Sequence, residues 1–562
     1  MSTNEQMKKN IEWRTKIQGL SGTHLVFALV ALLFFVFPLL RLLLLSVTSD
    51  DGSWTLDGYK QLFSDQRATV AIINTLYISI LSAVLSSFLG TWFAFLVGYT
   101  NIRCKKIIEM LIFPAYVMTI SWTGLTSSGG ALTLFLKSLG LPGINLYTPC
   151  GIIVMLGICH MSVVYVTVIH RLRQISMEVD WAARASGSSL GRLLWAIDLP
   201  MTASAIASGS VLAFLADIDN FAVPAFLGIS SNIPVLSTYI YEKVISFGPG
   251  SFSYGAVLSV LLSAIALTGT LVAAHLGKTA QVGESHRDEI EPRIVLQSWL
   301  RGCLEWGSVA FLFSISVIPF CYMAISALLR TFTFSLRLED MTLDNYSFVF
   351  TNDGVQEAAL NSLFMSGIAT FICLLIGSLV AYGVVRKGNR MASFLEQMAG
   401  MTYSVPGIVL ALALIFYWSQ PIPGVTTGLY GSYTIIILGY VTRYMVVQIK
   451  NSISAMQSMS ASAEDAALIS GSSIIHMWIK IIIPQLALPA LSGAFFIFLS
   501  AFTELTMSSV MASTNTRTIG LLIFNLQQAG DYSLAAAVSA VILAFMMLGC
   551  LLRLVSTPKA KQ

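Results

Sequence analysis

The chain has 562 residues, of which 56% are apolar and 11% charged, with a formal net charge of +4. Soluble globular chains carry about 25% charged residues, so this composition excludes a soluble protein and predicts an all-α polytopic membrane protein, counted in spans rather than soluble domains. A charge this small gives no reason to expect a nucleic-acid partner.

About twenty polar, locally basic residues precede the first apolar run, which is not the layout of a cleavable signal. Segment 1–23 is expected in the cytoplasm. Apolar runs then predict spans at 25–47, 71–98, 107–125, 149–169, 200–227 and 254–276, with a short re-entrant helix at 131–139. The loop after the first span is acidic (Asp50, Asp51, Asp57, Asp65), whereas the next holds Arg103, Lys105 and Lys106 without an acid. Short loops rich in Lys and Arg stay inside, so the basic loop is placed in the cytoplasm and the acidic one outside. Residues 277–298 form the longest charged linker. Beyond it, spans are predicted at 303–328, 358–385, 394–419, 433–447, 484–511 and 532–554, and the tail 555–562 returns to the cytoplasm.

The two halves repeat. Trp54-Thr55-Leu56-Asp57-Gly58-Tyr59 matches Met341-Thr342-Leu343-Asp344-Asn345-Tyr346, and Asn74-Thr75-Leu76 matches Asn361-Ser362-Leu363, at an offset of 287 positions. The expected architecture is about 12 transmembrane helices in two parallel six-helix repeats, 24–276 and 299–554. A second stretch recurs at an offset of 284. Asp180-Trp181-Ala182-Ala183, then Gly187-Ser188-Ser189, then Ile197-Asp198-Leu199-Pro200 returns as Glu464-Asp465-Ala466-Ala467, then Gly471-Ser472-Ser473, then Ile481-Ile482-Ile483-Pro484. Charge placement puts both copies in the cytoplasm. Small residues let a partner close over a helix, and Gly187 and Gly471 permit a turn. Ser188 and Ser472 are available to cap the next helix, and Pro200 and Pro484 are expected to restart a membrane helix.

This repeated pattern resembles the EAA loop of the membrane subunits of bacterial ABC importers: Glu-Ala-Ala, three residues, Gly, nine residues, Ile-x-Leu-Pro. Trp181 and Asp465 depart from the usual Glu, although an acid precedes each. In that family the loop sits in a cleft of the ATPase. The resemblance therefore implies a docking role for Asp180, Ala182, Ala183, Gly187 and Pro200 in the first copy. In the second it implies the same for Glu464, Asp465, Ala466, Ala467, Gly471 and Pro484. Across its length the chain resembles the fused permeases of ferric-iron importers and their thiamine and phosphonate relatives. The implied partners are two copies of an ABC ATPase and an extracytoplasmic substrate-binding protein, in a bacterial inner membrane.

Asp217, Asp219, Asn220 and Glu504 fall in or near the ends of apolar spans. A carboxylate at such depth costs about 2.5–3.5 kcal/mol, so these groups should face a wet or polar interior and are candidates to line a translocation path. His160 is expected as a satisfied packing histidine. The seven cysteines are scattered, with no C-x-x-C and no Cys/His cluster, so no metal site is expected. Gly277-Lys278-Thr279 has Val272 where a phosphate-binding loop needs its first glycine. The chain is thus expected to bind no cofactor, to be no enzyme, and to draw on ATP through its partners. The expected cargo is ferric iron, with 2-aminoethylphosphonate or thiamine as alternatives. An ion-coupled secondary transporter would need the acidic spans as coupling sites but has no use for paired loops, and a membrane enzyme lacks a catalytic cluster.

Overall fold

The computed structural model describes residues 22–48, 53–112, 118–126, 130–246, 248, 250–278, 292–329, 341–420 and 428–556. The basic N-terminal residues 1–21, most of the charged linker and the tail from 557 lie outside the described residues. Among the described residues there is no strand beyond isolated bridges. The molecule is all-α, and nine of the described helices are long and apolar enough to cross a membrane.

In chain order these helices and their companions are α1 (His24–Ser46), α2 (Asp57–Ser64), α3 (Gln66–Tyr99), α4 (Lys105–Leu111), α5 (Met118–Thr126), α6 (Ala131–Ser138), α7 (Pro149–Gln174), α8 (Met177–Ala185), α9 (Leu190–Asp219), α10 (Ala222–Gly228), α11 (Leu236–Ile245) and α12 (Ser251–Lys278). The second half adds α13 (Ser298–Ser326), α14 (Asp344–Thr351), α15 (Asp353–Val385), α16 (Arg390–Tyr403), α17 (Gly407–Trp418), α18 (Tyr433–Ser458), α19 (Ser462–Ile469), α20 (Ile474–Phe502), α21 (Ser508–Met511), α22 (Ile519–Gln528) and α23 (Tyr532–Ser556).

Three of the twelve expected spans are not among these nine helices, and two more, 200–227 and 484–511, end early at Asp219 and Phe502. The third falls on α4 and α5, with 113–117 outside the described residues. The span expected at 394–419 is α16 and α17, bent by 116° at Pro406 and a tenth span if the pair is taken as one. A residue before proline is pushed out of the α region, which ends α16 early, and Arg443 Nη1 donates to the freed carbonyl of Val405 at 3.2 Å. The span expected at 433–447 is α18, 26 residues long. Arg443, Gln448 and Lys450 leave it less apolar than its neighbours.

Packing divides the chain into two compact units that do not follow the sequence halves. One comprises residues 1–54 and 357–520, the other 55–356 and 521–562. In the first unit α1 packs on α16 and α17, and α18 packs on α16, α17 and α20. In the second, α3, α7, α9 and α12 form the core, and α13 packs on α4, α5 and α23. The first unit therefore takes α1 from the first sequence half, and the second takes α13, α14 and α23 from the second.

Close backbone approach holds these cores. In the second unit a Cβ on Gly90 of α3 would lie 2.6 Å from the Met161 carbonyl oxygen and 2.7 Å from Val164 Cβ in α7. At the equivalent position in the first unit, Gly377 of α15 faces α18, where a Cβ would stand 2.8 Å from Gln448 Cγ. The start of α3 is fixed by Asp65. One carboxylate oxygen accepts the Arg67 and Ala68 amides at 2.9 and 3.2 Å, and the other accepts the hydroxyls of Tyr239 and Tyr254 at 2.5 and 2.9 Å. Burial pushes this carboxyl up, but the four donors outweigh burial and hold it below the usual carboxylate range.

Gly90→Ala is expected to destabilise the purified protein by about 1–3 kcal/mol, because backbone cannot yield to the new methyl. Gly367→Ala, where a Cβ meets nothing within 4 Å, should leave the thermal midpoint nearly unchanged. Asp65 binds its proton more weakly folded than unfolded. Its stabilisation is therefore present above the unfolded pKa of about 4 and lost as pH falls through the lower folded value. Thermal midpoints measured from pH 6 downward should show an acid-side decline that Asp65→Asn flattens.

Candidate functional site

Each copy of the recurring stretch folds into the same elbow. In the first, α8 starts at Ser176, whose hydroxyl accepts the Glu178 amide at 3.3 Å, and ends in a glycine turn. The Ser188 amide donates to the Ala183 carbonyl at 3.0 Å, with Gly187 at φ +83°. That left-handed conformation favours glycine, and the six-to-one hydrogen bond is the signature of a Schellman cap. In the second elbow α19 ends identically: Ser472 N–H donates to Ala467 O at 3.0 Å and Gly471 has φ +81°. A Cβ on either glycine would meet nothing within 4 Å, so the outer side of each turn is open.

The capping serines are one residue later than expected. Ser189 accepts the Arg192 amide at 3.4 Å and Ser473 the His476 amide at 3.2 Å. The glycine turn uses the amides of Ser188 and Ser472, so the first extended residue, and hence the N-cap, is the next one. The prolines also act differently from the expectation. The helix does not restart at Pro200. It runs from Leu190 to Asp219 without a break, through a π-helical turn at Leu194–Asp198 in which Leu199 N–H bonds Leu194 O. The second elbow has the same turn at Trp478–Ile482, with Ile483 N–H on Trp478 O. A proline inside a helix lacks a donor and crowds the carbonyl four residues back, and a widened turn accommodates both. Each elbow is thus a short helix, a fixed turn and one long membrane helix.

The two elbows share one burial pattern. Asp180 and Glu464 are buried. Trp181 and Asp465 are exposed, as are Ala182 and Ala466, while Ala183 and Ala467 are half-buried. The buried acids are neutralised within the chain. Asp180 pairs with Arg293 (Oδ2 to Nη1, 3.0 Å) and Glu464 with Arg386 (Oε1 to Nε, 2.8 Å). The charge preceding each Ala-Ala pair therefore faces inward, and the side chain offered outward is Trp181 in one elbow and Asp465 in the other. Neither arginine had a local signal in the sequence, since they lie 113 and 78 positions from their partners.

The far ends of the two long helices also match. α9 stops at Asp219, and Asn220 Oδ1 accepts the Val223 amide at 3.0 Å, capping α10. α20 stops at Phe502, and Glu504 accepts the Met507 and Ser508 amides at 2.7 and 3.0 Å, capping α21. Asn220 and Glu504 occupy equivalent positions and perform the same task, satisfying backbone donors exposed where a membrane helix breaks. Asp219 is half-buried at its helix end. Asp217 points into the core, accepting Ser82 Oγ at 2.5 Å on one oxygen and meeting His160 Nδ1 at 2.5 Å on the other. His160 is accordingly a satisfied histidine. Among the described residues no cluster of three or more His, Cys, Asp or Glu side chains could hold a metal.

Residues 373–557 match the family described as binding-protein-dependent transport system inner membrane component. Those residues are a permease domain of this transport family. The ferric transport system permease protein FbpB of Actinobacillus pleuropneumoniae is 23% identical over 541 residues, 94% of this chain and 76% of that one. A putative ferric transport system permease protein of Haemophilus influenzae is 22% identical over 89% of this chain and 80% of its own length. The putative 2-aminoethylphosphonate transport system permease protein PhnU of Salmonella typhimurium is 24% identical over 39% of this chain and 79% of its own length. The two ferric alignments run through both halves of the permease, so the fused layout is common to it and them.

Substitutions at Glu504 separate capping from path lining. Glu504→Ala leaves two amides uncapped and is expected to lower stability by about 1–2 kcal/mol, with Asn220→Ala costing less because one amide is involved. If Glu504 also lines a path, Glu504→Gln alters uptake more than it alters the thermal midpoint. Uptake and midpoint falling in proportion would leave the cap as its only role.

Proposed function

We propose that the permease forms both membrane halves of an ATP-driven importer and that its cargo is ferric iron. The observation that carries this reading is the duplicated elbow: a short helix with small residues outward, an open glycine turn, and a rigid continuation into a membrane helix whose far end is broken and capped by a polar side chain. One such element serves as a lever, and two equivalent ones suit two copies of an ATPase. Ala182, Ala183 and Gly187, with Ala466, Ala467, Asp465 and Gly471, form the docking surfaces. Asp180 and Glu464 hold those surfaces in place from beneath, and Pro200 and Pro484 with their π turns pass the motion on. Binding of ATP by the partners closes them and draws both elbows, and α9 and α20 shift the breaks at Asn220 and Glu504. A loaded substrate-binding protein delivers the cargo from outside. The basic loops support a cytoplasmic position for both termini and both elbows, and in this reading ATP is used by the partners while the permease binds no cofactor.

Ferric iron is favoured because the two ferric relatives align along most of the chain, whereas the phosphonate relative aligns along less than half. Selectivity among iron, 2-aminoethylphosphonate and thiamine rests largely with the binding protein. A second reading, ion-coupled transport, is kept by the buried Asp217–His160 pair, which would be its coupling site.

The permease is co-expressed with its genomic neighbour ATPase and binding protein in a strain lacking its own uptake systems. Co-purification of the ATPase and ATP-dependent uptake of radiolabelled ferric iron are expected. Gly187→Trp with Gly471→Trp, which forces a bulky side chain into the left-handed turn, should abolish both. Uptake that persists without bound ATPase and collapses in Asp217→Asn would establish the ion-coupled reading. Uptake of the phosphonate or thiamine in place of iron would reassign the cargo alone.

A further inference from the structure

The two buried acids beneath the elbows are held by arginines of different origin. In the second elbow Arg386 comes directly after α15. Its Nε meets Glu464 and its Nη2 donates to the Met459 carbonyl at 2.9 Å, so one guanidinium ties the end of α18 to α19. In the first elbow the same two acceptors recur, Asp180 and the Ile175 carbonyl, each 284 positions earlier. Here the guanidinium belongs to Arg293, which binds Asp180 at 3.0 Å and also donates to Ile175 O. The position equivalent to Arg386 at the 287 offset is Tyr99, and the Tyr99 ring lies under the Arg293 guanidinium, 4.7 Å from its centroid. The arginine missing from the end of α3 is thus replaced by one from the segment that joins the repeats, stacked on the residue that stands in its place.

That segment is fixed by more than its side chain. The amides of Arg293 and Ile294 both donate to Tyr99 O, at 2.9 and 2.8 Å. The Leu296 amide donates to Asn101 Oδ1 at 3.0 Å, and Arg184 of α8 returns a bond to the Arg293 carbonyl at 2.5 Å. Arg293 is 5% exposed and Asp180 1%. α13, the first helix of the second repeat, begins five residues later at Ser298.

We propose that Arg293 is a positioning residue for ATPase engagement: it sets the orientation of the first docking helix, so that the connection between the repeats is part of the coupling machinery and not a tether. This rests on the importer reading given above. It follows from the cost of burying Asp180 unpaired, which exceeds what a nine-residue helix with an otherwise open face can hold in place. Without the guanidinium, α8 must turn to bring Asp180 to water, and Trp181 and Ala182 turn with it. The second elbow, served by its own Arg386, is unaffected.

The test uses the full permease with its ATPase in lipid nanodiscs. A photo-crosslinking residue, p-benzoylphenylalanine, replaces Trp181 or Asp465, so that each elbow reports its own contact with the ATPase. Arg293→Ala is expected to lower crosslinking from position 181 by at least about tenfold, the loss of a buried ion pair being worth well over that factor, while crosslinking from position 465 stays at the wild-type level. Arg386→Ala should give the mirror result. Arg293→Lys keeps the charge but not the double bond to Asp180 and Ile175 O, and should fall between. The exchange Asp180→Arg with Arg293→Asp should recover part of the position 181 signal. Unchanged crosslinking from position 181 in Arg293→Ala overturns the proposal, and so does an equal loss at both positions accompanied by a fall in thermal midpoint. Should Arg293→Ala fail to fold, Arg293→Lys decides: a loss confined to position 181 supports the proposal and no loss overturns it. Absence of crosslinking at both positions in the wild-type background would instead bring down the importer reading.

Discussion

The constraint on which the rest of the structure depends is the neutralisation of a buried carboxylate at each elbow. Asp180 and Glu464 sit where a membrane helix hands over to a short helix, and an unpaired charge there would cost several kcal/mol. A guanidinium meets the carboxylate and a backbone carbonyl of the preceding helix at once. A planar fork of donors restricts direction as well as distance. Two acceptors on two different helices therefore fix the angle between them, which no apolar contact at the same place would do. The small, open outer faces of α8 and α19 have a defined orientation because their inner faces are pinned in this way.

From the pinned elbow the structure continues without a hinge. The glycine turns leave little freedom, since the amide after each glycine is bonded back into the short helix. The long helices then run unbroken past their prolines because a π turn absorbs the missing donor. Slack is found at the far ends, where α9 and α20 stop and a polar side chain caps a new short helix. An unbroken helix followed by a break at its far end is the arrangement by which a displacement at one end becomes a rearrangement at the other.

Much of this was legible in the chain. Apolar runs located the membrane helices because hydrocarbon demands length and internal hydrogen bonding, and those demands are local. The elbow was legible because it occurs twice. What stayed hidden depends on contacts between distant residues. No spacing rule joins Arg293 to Asp180 or Ser82 to Asp217. α9 starts ten residues before Pro200: the proline signals a helix start at the level of sequence, while a π turn, which has no sequence signature, lets the helix pass through it. The packing units were hidden for the same reason. Repetition shows which segments are related by descent, and it is silent on which half α1 and α13 pack against.

The repeats also diverge, and the divergences fall together. Trp181 stands opposite Asp465 in the alignment of the halves, Tyr99 with Arg293 replaces Arg386, and the pair of Asp217 with His160 corresponds to Ala501 and Tyr444. All of the first-repeat features lie in the unit of residues 55–356 and 521–562. The other unit keeps its elbow arginine directly after α15 and has an alanine, Ala501, at the position of Asp217. A symmetric cargo path would impose equal demands on both repeats and hold them alike. Here the demands are unequal. One unit carries an extra buried pair, Asp217 with His160, and takes its elbow anchor from the chain that leads into the second repeat. Fusion makes that possible. Two separate copies of one chain must evolve identical elbows, whereas a fused chain can let one elbow depend on the segment that leads into the second repeat.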